Sequence, residues 1–256
     1  MREIELHYQK NIRDLGGLVG YKGMKVKSGR IFRGGFLDKL SEEDVLVMES
    51  LHLTDIIDFR SEKENKNRPD YYFEGVNYHN FPPLMENVKK EHQQYEDGNL
   101  LWFISPGTGG HDHMMQSYRE CVTTPKAIEA YRNFFKILLM DNRIVYFHCS
   151  QGKDRAGIAS YLVEIALGIS QEDALKDYLK SNIAMQKRIE VLVEMVKNKP
   201  FYNEEYHHSL LDVFSAKEEY LNAAIEEMIK MHGSVLNYIK KELKVNVTKL
   251  RKLYLE

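Results

Sequence analysis

Cysteine occurs twice in these 256 residues, tryptophan once and proline six times. Two cysteines exclude a disulfide-stapled scaffold at this length, so the fold must rest on an apolar core, and 43% hydrophobic residues suffice for one. No apolar run approaches the ~20 residues of a membrane-spanning helix. The opening Met1-Arg2-Glu3-Ile4-Glu5 lacks the pattern of a secretory leader. An excess of charge of one sign is missing too: a formal net charge of −2 argues against a nucleic-acid partner. Internal repeats and low-complexity tracts are absent.

What is present is an alternation of strand-like and helix-like segments. Residues 30–33, 53–59, 76–81 and 143–148 read as strands. A helix is predicted from Ser41 onward, with Glu42, Glu43 and Asp44 in its first turn. Another follows Thr124-Pro125, its stripe including Ile128, Tyr131, Phe135 and Leu138. A third stops near Gly168, and Ser170 caps the next, over 171–180. This order predicts an α/β fold: a central, mostly parallel sheet flanked by helices. After Asn182 the pattern is helical, over 183–197, 216–231, 235–243 and 247–255, with Pro200 as a break. The expectation is a single domain, 1–256, in which 182–256 is a helical appendage.

The most informative stretch is His148-Cys149-Ser150-Gln151-Gly152-Lys153-Asp154-Arg155-Ala156-Gly157. It follows the apolar run Ile144-Val145-Tyr146-Phe147 and precedes a helical one, 158–167. Cys149 and Arg155, separated by five residues, thus flank a loop between a strand and a helix. Backbone N–H groups of such a loop and of the first helical turn can converge on one tetrahedral oxyanion, with the helix dipole behind them. Arg155 adds a planar fork for two phosphate oxygens. The same field favours a thiolate at Cys149, which is then a nucleophile. Gly152 and Gly157 permit close backbone approach. On this reading Ser150, Gln151, Gly152, Lys153, Ala156 and Gly157 surround the phosphate. A buried filler thiol beside a surface ion pair is the bland alternative, and the flanking strand and helix weigh against it. Rhodanese-type sulfurtransferase loops resemble this one but run one residue shorter.

The pattern H-C-x-x-G-K-D-R-x-G is similar to the signature of the bacterial and fungal tyrosine-phosphatase family of the protein-tyrosine-phosphatase superfamily. Asn11-Ile12-Arg13-Asp14-Leu15-Gly16-Gly17 resembles that family's N-x-R-D-x-G-G segment. Residues 29–33 and 58–61 resemble its G-x-x-x-R and D-L-R-S segments, and 177–182 and the stretches around Tyr220-Leu221 and Gly233-Ser234 also look like it. Residues 85–115 have no counterpart. The resemblance implies a protein-tyrosine-phosphatase-like fold and a phosphoric monoester hydrolase working through a phosphocysteine intermediate, without cofactor or metal. It implies phosphotyrosyl protein as substrate. Phosphoinositide comes next, because relatives with a basic residue at the position of Lys153 are associated with it. A reducing, cytoplasmic location is the default, although some relatives are exported. In some relatives helices in the place of 182–256 form a lid; ordinary packing against the sheet is the alternative. Nothing in the sequence speaks to oligomeric state.

Two departures matter. The family usually has Thr or Ser where Ala156 stands, a hydroxyl that assists departure of the thiolate, so its loss is expected to slow phosphoenzyme hydrolysis more than formation. Phe81-Pro82-Pro83 stands where some relatives read F-P-D, which leaves that acidic role vacant. A catalytically impaired phosphate reader on the same fold is therefore the rival function.

The acid that protonates the leaving oxygen must then be sought elsewhere. Asp154 is the first candidate, the alternative being a carboxylate that fixes Arg155 or Lys153. Asp58, near a strand end, is the second, against an ion-pair role with Arg60 or Arg13. Asp14 is the third. Lys153 is read either as a cation for a second phosphate or acidic substrate, or as a solvated lysine at the pocket mouth. His148 is expected to orient Cys149 through hydrogen bonds. In the polar segment 85–113, Trp102 and Phe103 either shape a substrate pocket or anchor the loop. His111-Asp112-His113 is too sparse to define a metal site. Cys121 is read as a plain helix cysteine, the alternative being a thiol that condenses with oxidised Cys149.

Overall fold

Four parallel strands form the centre of the structure, a computed structural model that describes residues 2–9, 11–84, 110–200 and 202–256. They are β3 (Ile31–Gly34), β4 (Asp55–Asp58), β5 (Asn77–Asn80) and β6 (Val145–His148). β1 (Arg2–Glu3) and β2 (Arg13–Asp14) continue the sheet antiparallel beside β3, giving the order β1-β2-β3-β6-β4-β5. The mostly parallel sheet follows the strand–helix alternation of the sequence. β1 and β2 escape sequence reading because two residues carry no periodicity. Trp102 and Phe103 lie outside the described residues.

β6 reads Val-Tyr-Phe-His and is buried at all four positions, as a central parallel strand covered on both faces should be. Neighbouring side chains alternate between two cores. Ile31, Ile57, Val145 and Phe147 enter the main core, whereas Phe32, Ile56 and Tyr146 enter a second one with Ile12, Leu37, Met48 and Phe73. α1 (Glu42–Glu49) covers that second face, its start fixed by a capping box between Ser41 and Asp44. α2 (Glu62–Asn67) starts with the same device, Ser61 with Glu64.

The main core is built from helices that follow the strands. α3 (Gly110–Thr123) and α4 (Pro125–Leu138) meet around Thr124, which caps α4 ahead of a proline at its first position. α5 (Arg155–Leu167) lies behind β6 and is buried almost all round. It stops at Gly168, whose φ of +86° and whose closeness to Tyr21, 2.9 Å from a would-be Cβ, admit only glycine. α6 (Gln171–Leu179) and α7 (Ser181–Val196) follow, then α8 (Glu204–Phe214), α9 (Glu218–His232), α10 (Val235–Lys241) and α11 (Val247–Tyr254).

The helices expected as one appendage divide into two groups. Tyr220, Leu221, Met228, Tyr238 and Leu250 of α9–α11 belong to the main core, and Leu255 pairs by a β-bridge with Val26. α7 and α8 instead close a small separate core of Val196, Tyr206, Leu210, Val213 and Phe214. Asn203 caps α8, with Glu204 and Glu205 in its first turn. No helix among the described residues is long and apolar enough to cross a membrane.

Register sets the location of the site. Gly34, His148, Asp58 and Asn80 are partners across the four parallel strands, so their carboxyl ends lie at one edge of the sheet. Open α/β sheets collect functional groups at that edge.

Candidate active site

β6 carries the chain to this edge, and Cys149 follows it, only 2% exposed, six residues before α5 opens at Arg155. Asp154 occupies the N-cap position of α5 but makes no capping bond, and no acidic residue lies in the first turn. The first amides of α5 are thus not spent on a side chain, which suits them to an anion.

The loop is tied from outside. Asn11 Nδ2 donates to Gln151 O at 3.0 Å, and Arg33 Nη2 donates to Gly152 O at 2.8 Å. Because peptide units are planar, the N–H groups of Gly152 and Lys153 point to the opposite side. Gly152 has a φ of +68°, and a Cβ there would stand 2.4 Å from the carbonyl of Gly34. No other residue fits. Arg33 is in turn held by Asp177 Oδ2 at 2.7 Å, and Arg13 by Asp177 Oδ1 at 2.8 Å. Burial raises the Asp177 pKa, but the two guanidiniums outweigh it and bring it down to about 2. Glu164, buried beside this cluster, is pushed well above the usual carboxylate range by burial and by Asp177. Ser160 Oγ contacts Glu164 Oε1 at 2.6 Å.

Arg155 is positioned by Glu64. Nη1 lies 2.7 Å from Oε2 and Nη2 lies 2.9 Å from Oε1. Ser150 Oγ donates to Glu64 Oε1 at 2.5 Å and accepts from Arg155 Nη2 at 3.0 Å. Burial opposes the Glu64 charge, but Arg155 and Ser150 hold its pKa far below the usual range. A guanidinium has two bidentate edges. Glu64 takes the end-on one, and the side-on edge that includes Nε suits a phosphate. Glu64 was missed in the sequence, although Ser61-x-x-Glu64 is a visible capping box.

Asp154 lies at the rim with one oxygen engaged: Tyr118 donates to Oδ1 at 2.7 Å, and Lys153 Nζ is 3.1 Å from the same atom. Lys153 corrects both sequence readings. It is 1% exposed, neither solvated at a pocket mouth nor turned to a second phosphate. Its ammonium also donates to Val213 O at 2.8 Å and Ser215 O at 3.1 Å. Three acceptors exhaust its three hydrogens, and the carbonyls are those at the C-terminus of α8.

Asp58 takes its ion-pair alternative, with Arg60 and not Arg13. Arg60 Nε lies 3.0 Å from both carboxylate oxygens, and Asn65 Nδ2 donates to Oδ2 at 2.7 Å. Arg60 also reaches Asp70 Oδ2 at 2.9 Å. His148 sits against these groups, with Nε2 3.1 Å from Asp70 and Nδ1 3.3 Å from the carbonyl of Cys149. Asp58, Asp70 and His148 could converge on a metal, but the guanidinium of Arg60 already supplies a cation there. Asp14 accepts from the amides of Gly16 and Gly29 at 2.8 and 2.7 Å, which makes it a turn-fixing residue away from the loop. Ala156 is fully buried in the main core, and Gly157 leaves room for the Tyr178 ring, 3.0 Å from a would-be Cβ. His111, in the first turn of α3, pairs with Glu219 at 3.2 Å. Cys121 is buried, which pushes its thiol up to about 12.

A buried cysteine at the end of β6, two loop carbonyls tied outward and an arginine fixed at the start of α5 make an arrangement suited to an anion. The family follows from the whole chain: a profile described as "Tyrosine phosphatase family" matches residues 4–256, and the chain belongs to that family. A Cupriavidus necator protein named as a tyrosine-protein phosphatase is 29% identical over 271 residues, 96% of this chain and 85% of its own length. The triple specificity protein phosphatase PtpB of Mycobacterium tuberculosis is 25% identical over 259 residues, 90% of this chain and 93% of that protein. Among solved structures, TpbA of P. aeruginosa in complex with pTyr aligns over 78% of this chain and 89% of its own at 11% identity, with a TM-score of 0.30.

Proposed function

We propose that the chain is one phosphatase domain that hydrolyses phosphomonoesters in two steps through Cys149. The carrying observation is the cradle: loop carbonyls tied outward by Asn11 and Arg33, Arg155 fixed by Glu64 at the start of α5, and Cys149 buried at the other end of the loop. The Cys149 thiolate attacks phosphorus in line, so that an Sγ–P bond forms as the ester P–O bond breaks. Loop amides and Arg155 stabilise the equatorial oxygens in the transition state. Asp154 gives its proton to the leaving oxygen. Water then attacks the phosphocysteine, Asp154 takes back a proton, and the thiolate and inorganic phosphate are released. Ala156 offers no hydroxyl to the departing sulfur, so the second step is slowed more than the first. Ala156→Thr should raise single-turnover hydrolysis of the phosphoenzyme, and an unchanged rate would remove this role.

Phosphotyrosyl protein is the leading substrate, in keeping with the family. Phosphoinositide is the second, and the "triple specificity" name of the mycobacterial relative supports a breadth beyond tyrosine. A reducing, cytoplasmic compartment suits a nucleophile that must stay a thiol.

The test is hydrolysis of para-nitrophenyl phosphate under reducing, metal-free conditions by the natural chain and by Cys149→Ser. Turnover that disappears in the variant supports the mechanism. Activity that survives in the variant removes Cys149 as nucleophile, and silence from both assigns a phosphate reader.

A further inference from the structure

Asp154 occupies the N-cap of α5, a position from which an aspartate commonly accepts a bond from an amide of the first turn. It makes none. Its Oδ1 is drawn instead to Tyr118, whose hydroxyl donates at 2.7 Å, and to Lys153 Nζ at 3.1 Å. Among the described residues nothing bonds to Oδ2. The two oxygens are therefore not equivalent: Oδ1 is spent on donors, and a proton on this carboxyl belongs on Oδ2.

Tyr118 does not act alone. Its oxygen lies 2.7 Å from that of Tyr178, and the rings meet edge to face at 84°. A hydroxyl has one proton. Because Tyr118 spends its proton on Asp154, Tyr178 must donate to Tyr118, and the chain runs in one direction, from Tyr178 to Tyr118 to Asp154. Burial and the nearby Asp154 push both phenols well above their ordinary range, so both remain donors at any pH the protein meets. Tyr118 is 1% exposed and also packs against Tyr220 at 5.7 Å, so neither ring can turn away.

We infer that Tyr118, backed by Tyr178, is a positioning residue that holds Oδ1 of Asp154 and so presents Oδ2 to the leaving oxygen. The inference rests on Asp154 as the acid and adds the device that aims it. It has a second effect: a carboxylate held by Tyr118 does not occupy the α5 amides that the phosphate uses. Tyr178 adjoins Asp177, which holds the arginine behind the loop. One turn of α6 thus serves both the cradle and the acid.

The experiment is a series of aryl phosphates with leaving groups of increasing basicity, scored as kcat/KM, which reports phosphoenzyme formation. The chains compared are the natural one, Asp154→Asn, Tyr118→Phe, Tyr178→Phe and Tyr118→Phe/Asp154→Asn. For the most basic leaving groups, Asp154→Asn should lose on the order of a hundredfold and Tyr118→Phe about tenfold. Both losses should shrink towards para-nitrophenyl phosphate, which steepens the dependence on leaving-group basicity. Tyr178→Phe should move the same way by less. In the Asp154→Asn background, Tyr118→Phe should add nothing. A uniform loss across the series, or losses that multiply in the double variant, would overturn the positioning role while leaving Asp154 as the acid. An unaltered slope in Asp154→Asn would remove both. If Tyr118→Phe does not fold by circular dichroism, the slope of Tyr178→Phe decides: steeper supports the inference, unchanged overturns it.

Discussion

Glu64 and Arg155 face each other end-on across two hydrogen bonds of 2.7 and 2.9 Å, and the same carboxylate accepts from the amide of Ser61 at 2.9 Å. Glu64 thus ties the start of a short helix to the guanidinium at the start of α5. Glu64→Gln keeps the shape but turns one acceptor into a donor facing Arg155. A hydrogen bond to a charged group contributes ~1.5–3 kcal/mol, so kcat/KM should fall about 10- to 100-fold. Thermal stability should change little, because Glu64 is 38% exposed. Steady-state kinetics beside a melting curve checks both, and full activity in Glu64→Gln would remove the positioning role.

Gly152→Ala should disable the loop more thoroughly. The new Cβ meets the Gly34 carbonyl at 2.4 Å from a backbone already at φ +68°. Strain of ~1–3 kcal/mol is expected in stability, together with a large loss of oxyanion affinity as the amides leave their alignment. Inhibition by orthovanadate and urea denaturation measure the two effects separately. Tight inhibition retained in this variant would show that the loop tolerates the side chain.

The sheet, the loop and most helix starts were legible because each has a local cause: buried apolar runs for β4 and β6, and caps such as Ser41, Thr124 and Ser170 for the helices. Cys149 and Arg155 were legible for the same reason, their spacing being fixed by one short loop. Glu64, Tyr118 and Asp177 were not legible as site residues. Their roles depend on contacts 91, 36 and 144 residues away along the chain, which no local pattern encodes. Lys153 was misread because a lysine in a polar loop looks solvated. Only tertiary structure supplies the carbonyls of Val213 and Ser215 that bury it.

Asp177 stands between two buried arginines, and neutralising it leaves both charges without a partner. Asp177→Asn should cost ~3–5 kcal/mol, the range for breaking a buried pair from one side. Glu164→Gln should cost less than ~1 kcal/mol, because burial and Asp177 favour the neutral form of Glu164 and the amide keeps its shape. Urea denaturation of the two variants gives the contrast. Equal losses would mean that Glu164 carries a charge.

His148 gives stability a dependence on pH. Burial lowers its pKa, but Asp70 and Asp58 outweigh burial and raise it above the ordinary 6.5. A raised value means that its contribution is complete below 6.5 and fades as pH rises through the folded-state value. Asp70 acts at the other end. Its lowered pKa contributes above the ordinary 3.8 and is lost as pH falls through the folded-state value. The melting temperature of the natural chain relative to His148→Asn should therefore be highest below the ordinary 6.5 and decline as pH rises through the raised folded-state value. A constant difference would mean that His148 is uncharged in the folded protein.

Lys153 sits in the middle of the loop and finds its acceptors in Val213 and Ser215, 60 and 62 residues further along the chain. During synthesis, a ribosome that has just released Cys149 and Arg155 has not yet made those carbonyls. The loop therefore emerges before the partners of its buried lysine exist. Its ammonium is satisfied only once α8 has docked, so the order of synthesis makes this loop one of the last parts of the chain to complete its hydrogen bonds.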